Sequence, residues 1–123
     1  MECFEKIDIF FKGRKFPLRV RNVSYFGRIR GLMFKKKDSD ALLFDFSKEC
    51  REPIHSFFVF FPFLALWLNE KNEVLEYKVV RPFALRVKSV NFYKLIEIPL
   101  ETKDLNSREI IEFLVGKERF KYN

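Results

Sequence analysis

The chain has one histidine, His55, two cysteines, Cys3 and Cys50, and no glutamine. A structural zinc site normally uses four closely spaced Cys or His ligands, so these few, widely separated residues predict no metal centre. We expect no cofactor either.

Low glutamine with abundant Lys, Arg and Glu is typical of heat-adapted, thermophilic archaeal proteins. The cysteines are interpreted as reduced thiols, with a Cys3–Cys50 disulfide as the alternative that a heat-adapted intracellular protein could carry.

The motifs of several common activities are missing. There is no G-x-x-x-x-G-K-[ST] and no G-x-G-x-x-G, so phosphate-loop nucleotide binding has no support. His55 stands beside Ser56, but neighbouring residues on a strand point to opposite faces, so His55 cannot easily activate that hydroxyl. We therefore expect no catalytic residues, and for His55 a structural role, with a role in a site as the alternative.

The long apolar run from Phe57 to Leu68 is too short for a membrane span. Its 12 residues would rise about 18 Å as a helix, against a hydrocarbon core of about 30 Å. Pro62 lies in its middle, where it would break a helix. The run instead predicts two short buried strands, Ile54–Phe61 and Leu64–Leu68, joined at the proline. With no leader-like N-terminus, the expected location is the cytoplasm.

The composition predicts one folded domain over residues 1–123. Hydrophobic residues make up 48% of the chain and include 17 Phe, but there are only 4 Gly. About seven strands and two short helices are expected, which predicts a mainly β fold with short helices (α+β), as a single compact antiparallel β-sandwich or squashed barrel. The predicted elements are a hairpin turn at Lys12–Lys15, strands at Leu18–Val23, Ala41–Phe46, Glu73–Val80 and Lys94–Pro99, a helix from Ser24 to Leu32, and a helix capped by Asn106 and ended by Gly116.

Positive charge is concentrated in the first third of the chain. Residues 1–38 contain 11 Lys/Arg and 4 Asp/Glu, whereas residues 39–123 contain 13 of each, so the whole excess of +7 lies before residue 39. A field of this sign attracts phosphate-bearing or acidic partners. The alternative is that these side chains simply keep the protein soluble.

An ordered series of short motifs resembles one known family. The segment RIRGLMF at residues 28–34 looks like the signature of uncharacterised protein family 0127 (domain of unknown function 192), and the resemblance spans residues 18–116. The resemblance implies one compact β-rich domain and brings no established activity, cofactor or catalytic residue. The later motifs are LLFDF at 42–46, HSFF at 55–58, FP at 61–62, LWLN at 66–69, VVRP at 79–82 and LIEIP at 95–99.

Three positions depart from the family pattern. Val59 stands where relatives usually have Met, Leu64 where they usually have Asp, and Asn69-Glu-Lys-Asn72 where the pattern is Asp-x-x-Gly. If that Asp binds a ligand in relatives, the role is absent here. The apolar run is accordingly interpreted as core, with a pocket wall as the alternative.

Two functions from different classes remain. The first is a non-enzymatic binding module for an acidic or phosphate-bearing partner, such as weak, non-specific nucleic acid binding or an acidic protein. The second is a small-molecule binding or catalytic domain with its site near His55 and Trp67. The candidate binding residues are Arg28, Arg30, Lys35, Lys36, Lys37 and His55.

Overall fold

The computed structural model describes residues 3–22, 41–51, 61–83, 87–100 and 105–116. These residues form six β-strands and one α-helix. The elements are β1 (Cys3–Phe11), β2 (Arg14–Asn22), β3 (Leu42–Cys50), β4 (Phe63–Leu68), β5 (Val74–Val80), β6 (Phe92–Pro99) and α1 (Leu105–Val115).

The six strands form one sheet in the order β1-β2-β3-β6-β4-β5. Four of its five strand pairs are antiparallel, and β2 and β3 are parallel. The predicted mainly β fold with a helix is confirmed, and the parallel pair is a feature that the sequence pattern did not predict. Parallel neighbours cannot be joined by a tight turn. The predicted helix from Ser24 to Leu32 falls in the intervening chain, outside the described residues.

The sheet curls until its two terminal strands meet. The backbone N–H of Phe10 in β1 donates to the carbonyl of Asn72 just before β5, at 3.0 Å. Phe10 also forms a parallel bridge with Glu73. Because β1 and β5 are the two ends of the strand order, this contact makes the sheet a partly closed, squashed barrel rather than two stacked sheets.

Helix α1 covers the inner face of the curled sheet. Its buried residues Ile110, Phe113 and Leu114 pack with apolar side chains from all six strands. Gly116 ends the helix as predicted, with φ of 88° and its N–H donated to the carbonyl of Glu112 at 2.7 Å. The helix begins at Leu105, so Asn106 lies inside the first turn rather than before it, and the predicted cap position was wrong.

Strand β4 is buried on both faces. Leu64, Leu66 and Leu68 belong to the inner cluster, and Phe63, Ala65 and Trp67 to a second cluster on the outer face of β3, β6 and β4. This confirms that the second half of the apolar run is core, as continuous hydrophobicity without alternation predicts. Buried Phe61 and exposed Pro62 form the bend before the strand. Residues 54–60 of the other predicted strand lie outside the described residues.

The predicted hairpin between β1 and β2 is confirmed. Lys12 and Gly13 have φ of 51° and 76°, the two positive values that a type I′ turn requires. Strand β2 begins at Arg14, four residues earlier than predicted. Its pairing with β3 covers only Arg21 and Asn22, so most of β2 has a single neighbour and tolerates Pro17.

The strand order also separates the two cysteines. Cys3 is paired with Asn22 at the start of β1, whereas Cys50 ends β3, two strands away. Two strand spacings amount to about 9–10 Å, and a disulfide needs Cα atoms within about 7 Å. The disulfide alternative is therefore inconsistent with the sheet.

Candidate phosphate-contact surface

Of the residues that the sequence predicted to lie at a binding site, the structure describes only Trp67. Trp67 lies on the outer face of β4 with 0% of its surface exposed. The other candidates stay predictions, because they lie outside the described residues: Arg28, Arg30, Lys35, Lys36, Lys37 and His55. Among the residues that the structure does describe, no group of three His, Cys, Asp or Glu side chains could hold a metal ion, and no helix is long and apolar enough to cross a membrane.

The β1–β2 hairpin nevertheless places several charged residues of the basic first third on one surface. The register pairs Phe4 with Arg21, Lys6 with Arg19 and Phe10 with Lys15. Directly paired residues point to the same side of a sheet, and successive residues alternate. We call the resulting outward side the basic ribbon face; it consists of Phe4, Lys6, Asp8, Phe10, Lys15, Pro17, Arg19 and Arg21.

The basic ribbon face is strongly positive. It carries four cationic residues against one carboxylate, that of Asp8, and Lys6, Lys15 and Arg19 are exposed. The hairpin's other described acid, Glu5, points to the opposite side and accepts a hydrogen bond from the side-chain amide of Asn22. The excess charge of the hairpin is therefore directed outward. Arg19 and Arg21 point away from Leu18 and Val20, as the alternation of side chains along a strand requires.

Two aromatic rings are exposed among these charges. Phe4 has 42% and Phe10 38% of its surface exposed. The guanidinium groups of Arg19 and Arg21 lie 4.4 and 5.1 Å from the centre of the Phe4 ring, which is cation–π geometry. Five residues lie between Phe4 and Phe10, so six steps along the strand separate their Cα atoms by about 20 Å.

The inner side of the same hairpin is fixed to the barrel. Arg14 donates a hydrogen bond to the carbonyl of Phe113 in the last turn of α1, and its guanidinium lies 5.1 Å from the centre of that ring. Phe16 packs on Phe113 with 5.2 Å between ring centres, and Phe11 packs edge-on against Tyr77 at 5.8 Å. Arg14 thus has a structural role, since it satisfies a carbonyl that the helix end leaves unpaired. These contacts hold the hairpin against the rest of the barrel, while its outer side faces away from them.

A buried carboxylate lies further across the same face of the sheet. Glu97 is only 6% exposed and is paired with Leu42 on β3 and Ala65 on β4. Leu42 is in turn paired with Arg21 on β2, and Ala65 is paired with Lys78 on β5. Glu97 therefore has a cation two strands away on each side. The sequence analysis did not single out Glu97. The feature that could have indicated it is a single acidic residue within the otherwise apolar strand segment LIEIP, because a buried charge needs a partner.

Trp67 has the surroundings of a core residue. The Lys78 ammonium lies 5.8 Å from the centre of its ring and is itself held by Glu76 at 3.7 Å and by the carbonyl of Lys88 at 2.6 Å. The indole Nε1 is buried and has no hydrogen-bond partner within the part of the chain that the structure describes. The tryptophan therefore contributes packing to the outer cluster.

These features define the class of protein as a small curled-sheet domain with an internal helix and one basic, aromatic hairpin surface. Comparison of sequences identifies its family. No family model matches the chain. The chain is 32% identical, over 114 residues, to a UPF0127 protein from Thermococcus sibiricus, an alignment that covers 88% of this chain and 74% of that protein. The chain belongs to the UPF0127 family, as the motif series predicted.

Two solved structures have a similar fold. A Sinorhizobium meliloti protein, whose suggested role is transcription regulation, superposes with a TM-score of 0.69 at 19% identity and covers 79% of this chain and 81% of its own. A protein of unknown function from Novosphingobium aromaticivorans gives a TM-score of 0.67 at 12% identity, covering 78% and 73%. At these identities the likeness concerns the fold alone.

Proposed function

We propose that this protein is a non-enzymatic binding module and that its basic ribbon face contacts a phosphate-bearing polymer. The observation that carries the proposal is the basic ribbon face itself, with four cations against one carboxylate on a supported hairpin. Lys and Arg on one face are the usual means of binding a phosphate backbone, and their attraction does not depend on base sequence.

One pairing within the face favours function over a purely structural role. Lys6 and Arg19 stand directly opposite each other on adjacent strands. Like charges in this position destabilise a sheet. Side chains that lower the stability of the fold are common at binding surfaces, because the requirements of stability and function often conflict.

The described residues give less support to the alternative, a small-molecule or catalytic site near His55 and Trp67. Trp67 is fully enclosed, and Lys78 lies over its ring. A ligand that contacted the indole would have to displace packed core. The basic ribbon face, in contrast, is exposed at every residue except Arg21, which is half-buried.

The first prediction tests the surface by charge removal. The double variant Lys6→Gln/Lys15→Gln should weaken binding to labelled oligonucleotides in a salt-dependent way, because two phosphate contacts are lost. The slope of log K against log salt should decrease by about 1.4 for a single strand and about 1.8 for a duplex. Fluorescence anisotropy at low and physiological salt measures both quantities, with inorganic polyphosphate as a competitor.

The matched control is Lys48→Gln/Lys88→Gln, which removes the same charge from exposed lysines elsewhere. It should leave affinity and salt slope close to those of the unaltered protein. If both double variants weaken binding equally, the effect is one of net charge, and the basic ribbon face has no special role. Absence of any binding at low salt with micromolar protein would refute the proposal outright.

A stability measurement provides an independent check. Lys6→Glu places an acid opposite Arg19, so it should raise the free energy of unfolding by roughly 0.2–1 kcal/mol while it weakens phosphate binding. Urea denaturation and the anisotropy titration measure the two effects. A variant that loses stability and binding together would indicate that Lys6 supports the fold rather than a partner.

A further inference from the structure

We propose that the polymer bound by the basic ribbon face is single-stranded nucleic acid, and that its bases stack on the rings of Phe4 and Phe10. This inference rests on the proposed function and adds the class of partner. It depends on a different observation, namely the two exposed rings rather than the charge around them.

Exposed aromatic rings between cations suit unpaired bases. Every base has a π-face that stacks on an aromatic side chain, and surfaces that bind single strands without sequence preference combine such rings with a positive backbone track. In a duplex the base faces are already stacked on one another and are not accessible. Rings on a phosphate-binding surface therefore gain contacts from a single strand that a duplex cannot offer.

The arrangement along the hairpin fits a strand that follows the ribbon. Phe4 has Arg19 and Arg21 against its ring, and Phe10 is paired with Lys15. Lys6, exposed between the two rings, continues the positive track. The spacing of about 20 Å leaves room for several extended nucleotides between the two stacked bases.

The face carries only part of the side-chain set that reads a duplex. Two-stranded β-ribbons do enter the major groove, where they read base edges mainly through Arg, Lys, Asn and Gln. The eight residues of the basic ribbon face include neither Asn nor Gln, and Asn22 points to the inner side. Phe4, Phe10 and Pro17 offer no hydrogen bonds to base edges. The chemistry of the face therefore favours stacking over groove readout.

The test compares four probes of equal length: single-stranded DNA, single-stranded RNA of the same sequence, the DNA duplex, and an abasic strand that keeps the phosphates. The unaltered protein should bind the base-bearing single strands at least about tenfold more tightly than the duplex or the abasic strand. Phe4→Leu and Phe10→Leu should each weaken base-bearing single strands about 5- to 150-fold and leave the abasic strand unchanged.

Two further variants keep the result interpretable. Phe83, which is 51% exposed outside the hairpin, provides the matched control, and Phe83→Leu should not alter binding. Phe4→Tyr retains a ring and should retain affinity, which separates loss of stacking from loss of folding. Binding of either DNA or RNA supports the inference, and the tighter of the two identifies the chemical form of the partner.

The outcomes separate this inference from the proposed function. Equal binding of single strand, duplex and abasic strand, with Phe4→Leu and Phe10→Leu behaving like Phe83→Leu, would overturn base stacking. If Lys6→Gln/Lys15→Gln still weakened binding in that case, the phosphate-binding function would stand without it. If no probe bound at low salt, both proposals would fall together.

Discussion

Asn72 shows how a single residue preserves a turn after the sequence has changed. It adopts φ of 66° in the turn between β4 and β5, where the family pattern has glycine. Asparagine is one of the few other residues that tolerate this left-handed region. Asn69 completes the turn, because its side-chain oxygen accepts the N–H groups of Lys71 and Glu73 at 2.9 Å each. Asn72 thus stands at the glycine position of the Asp-x-x-Gly pattern in a backbone conformation that glycine adopts readily.

The substitution Asn72→Val should accordingly destabilise the protein. A β-branched side chain in the left-handed region costs roughly 1–2 kcal/mol, whereas glycine avoids that cost. Both variants lose the hydrogen bond that the Lys94 ammonium donates to the Asn72 side-chain oxygen at 2.7 Å, so Asn72→Val should be less stable than Asn72→Gly by about that backbone cost. Urea denaturation midpoints measure the difference between the two variants. Equal midpoints would show that the turn changes conformation without cost.

At the scale of the element, β4 is the strand on which the core depends. All six of its residues are buried, three in each apolar cluster. It lies between β5 and β6 and carries the two clusters on its opposite faces. Loss of a large side chain here leaves a cavity in a region without solvent access.

Phe63→Ala should therefore cost about 3–5 kcal/mol of unfolding free energy. The matched control is Leu75→Ala on neighbouring β5, where the side chain is exposed and the change should stay within about 0.5 kcal/mol. Chemical denaturation followed by tryptophan fluorescence measures both, since Trp67 lies in the same outer cluster. Similar costs for the two variants would contradict the assignment of β4 as the centre of the core.

At the scale of the whole molecule, the contact between β1 and β5 brings the ends of the sheet together. The hydrogen bond from Phe10 to Asn72 joins the tip of the first hairpin to the turn after β4. An open groove of about 420 Å³ lies beside it, lined by Phe10, Lys12, Lys71 and Glu73 among others. The basic ribbon face is thus supported by α1 on its inner side and by this contact at its tip.

The fold should need no metal ion. Two apolar clusters and the helix account for the packing of the described residues, and no group of three metal-ligating side chains occurs among them. Thermal unfolding with and without a strong chelator should give the same melting temperature. A large decrease on chelation would reveal a structural ion.

The sequence by itself determined the class of fold and the position of most elements. Continuous hydrophobicity marked Leu64–Leu68 as buried on both faces, the Lys12–Lys15 segment marked the hairpin turn, and Gly116 marked the end of α1, because each depends on local patterning or backbone conformation. The ordered motifs also gave the family. The charge excess indicated where a phosphate-binding surface should be sought.

Tertiary structure alone decided which side chains share a surface. The β1–β2 register brings Phe4 next to Arg21 and Lys6 next to Arg19, residues 17 and 13 positions apart in the sequence. The strand order buries Glu97 among apolar neighbours, separates Cys3 from Cys50 and brings β1 to β5. Pairing between distant strands depends on register and packing of the whole sheet, and no local pattern encodes it.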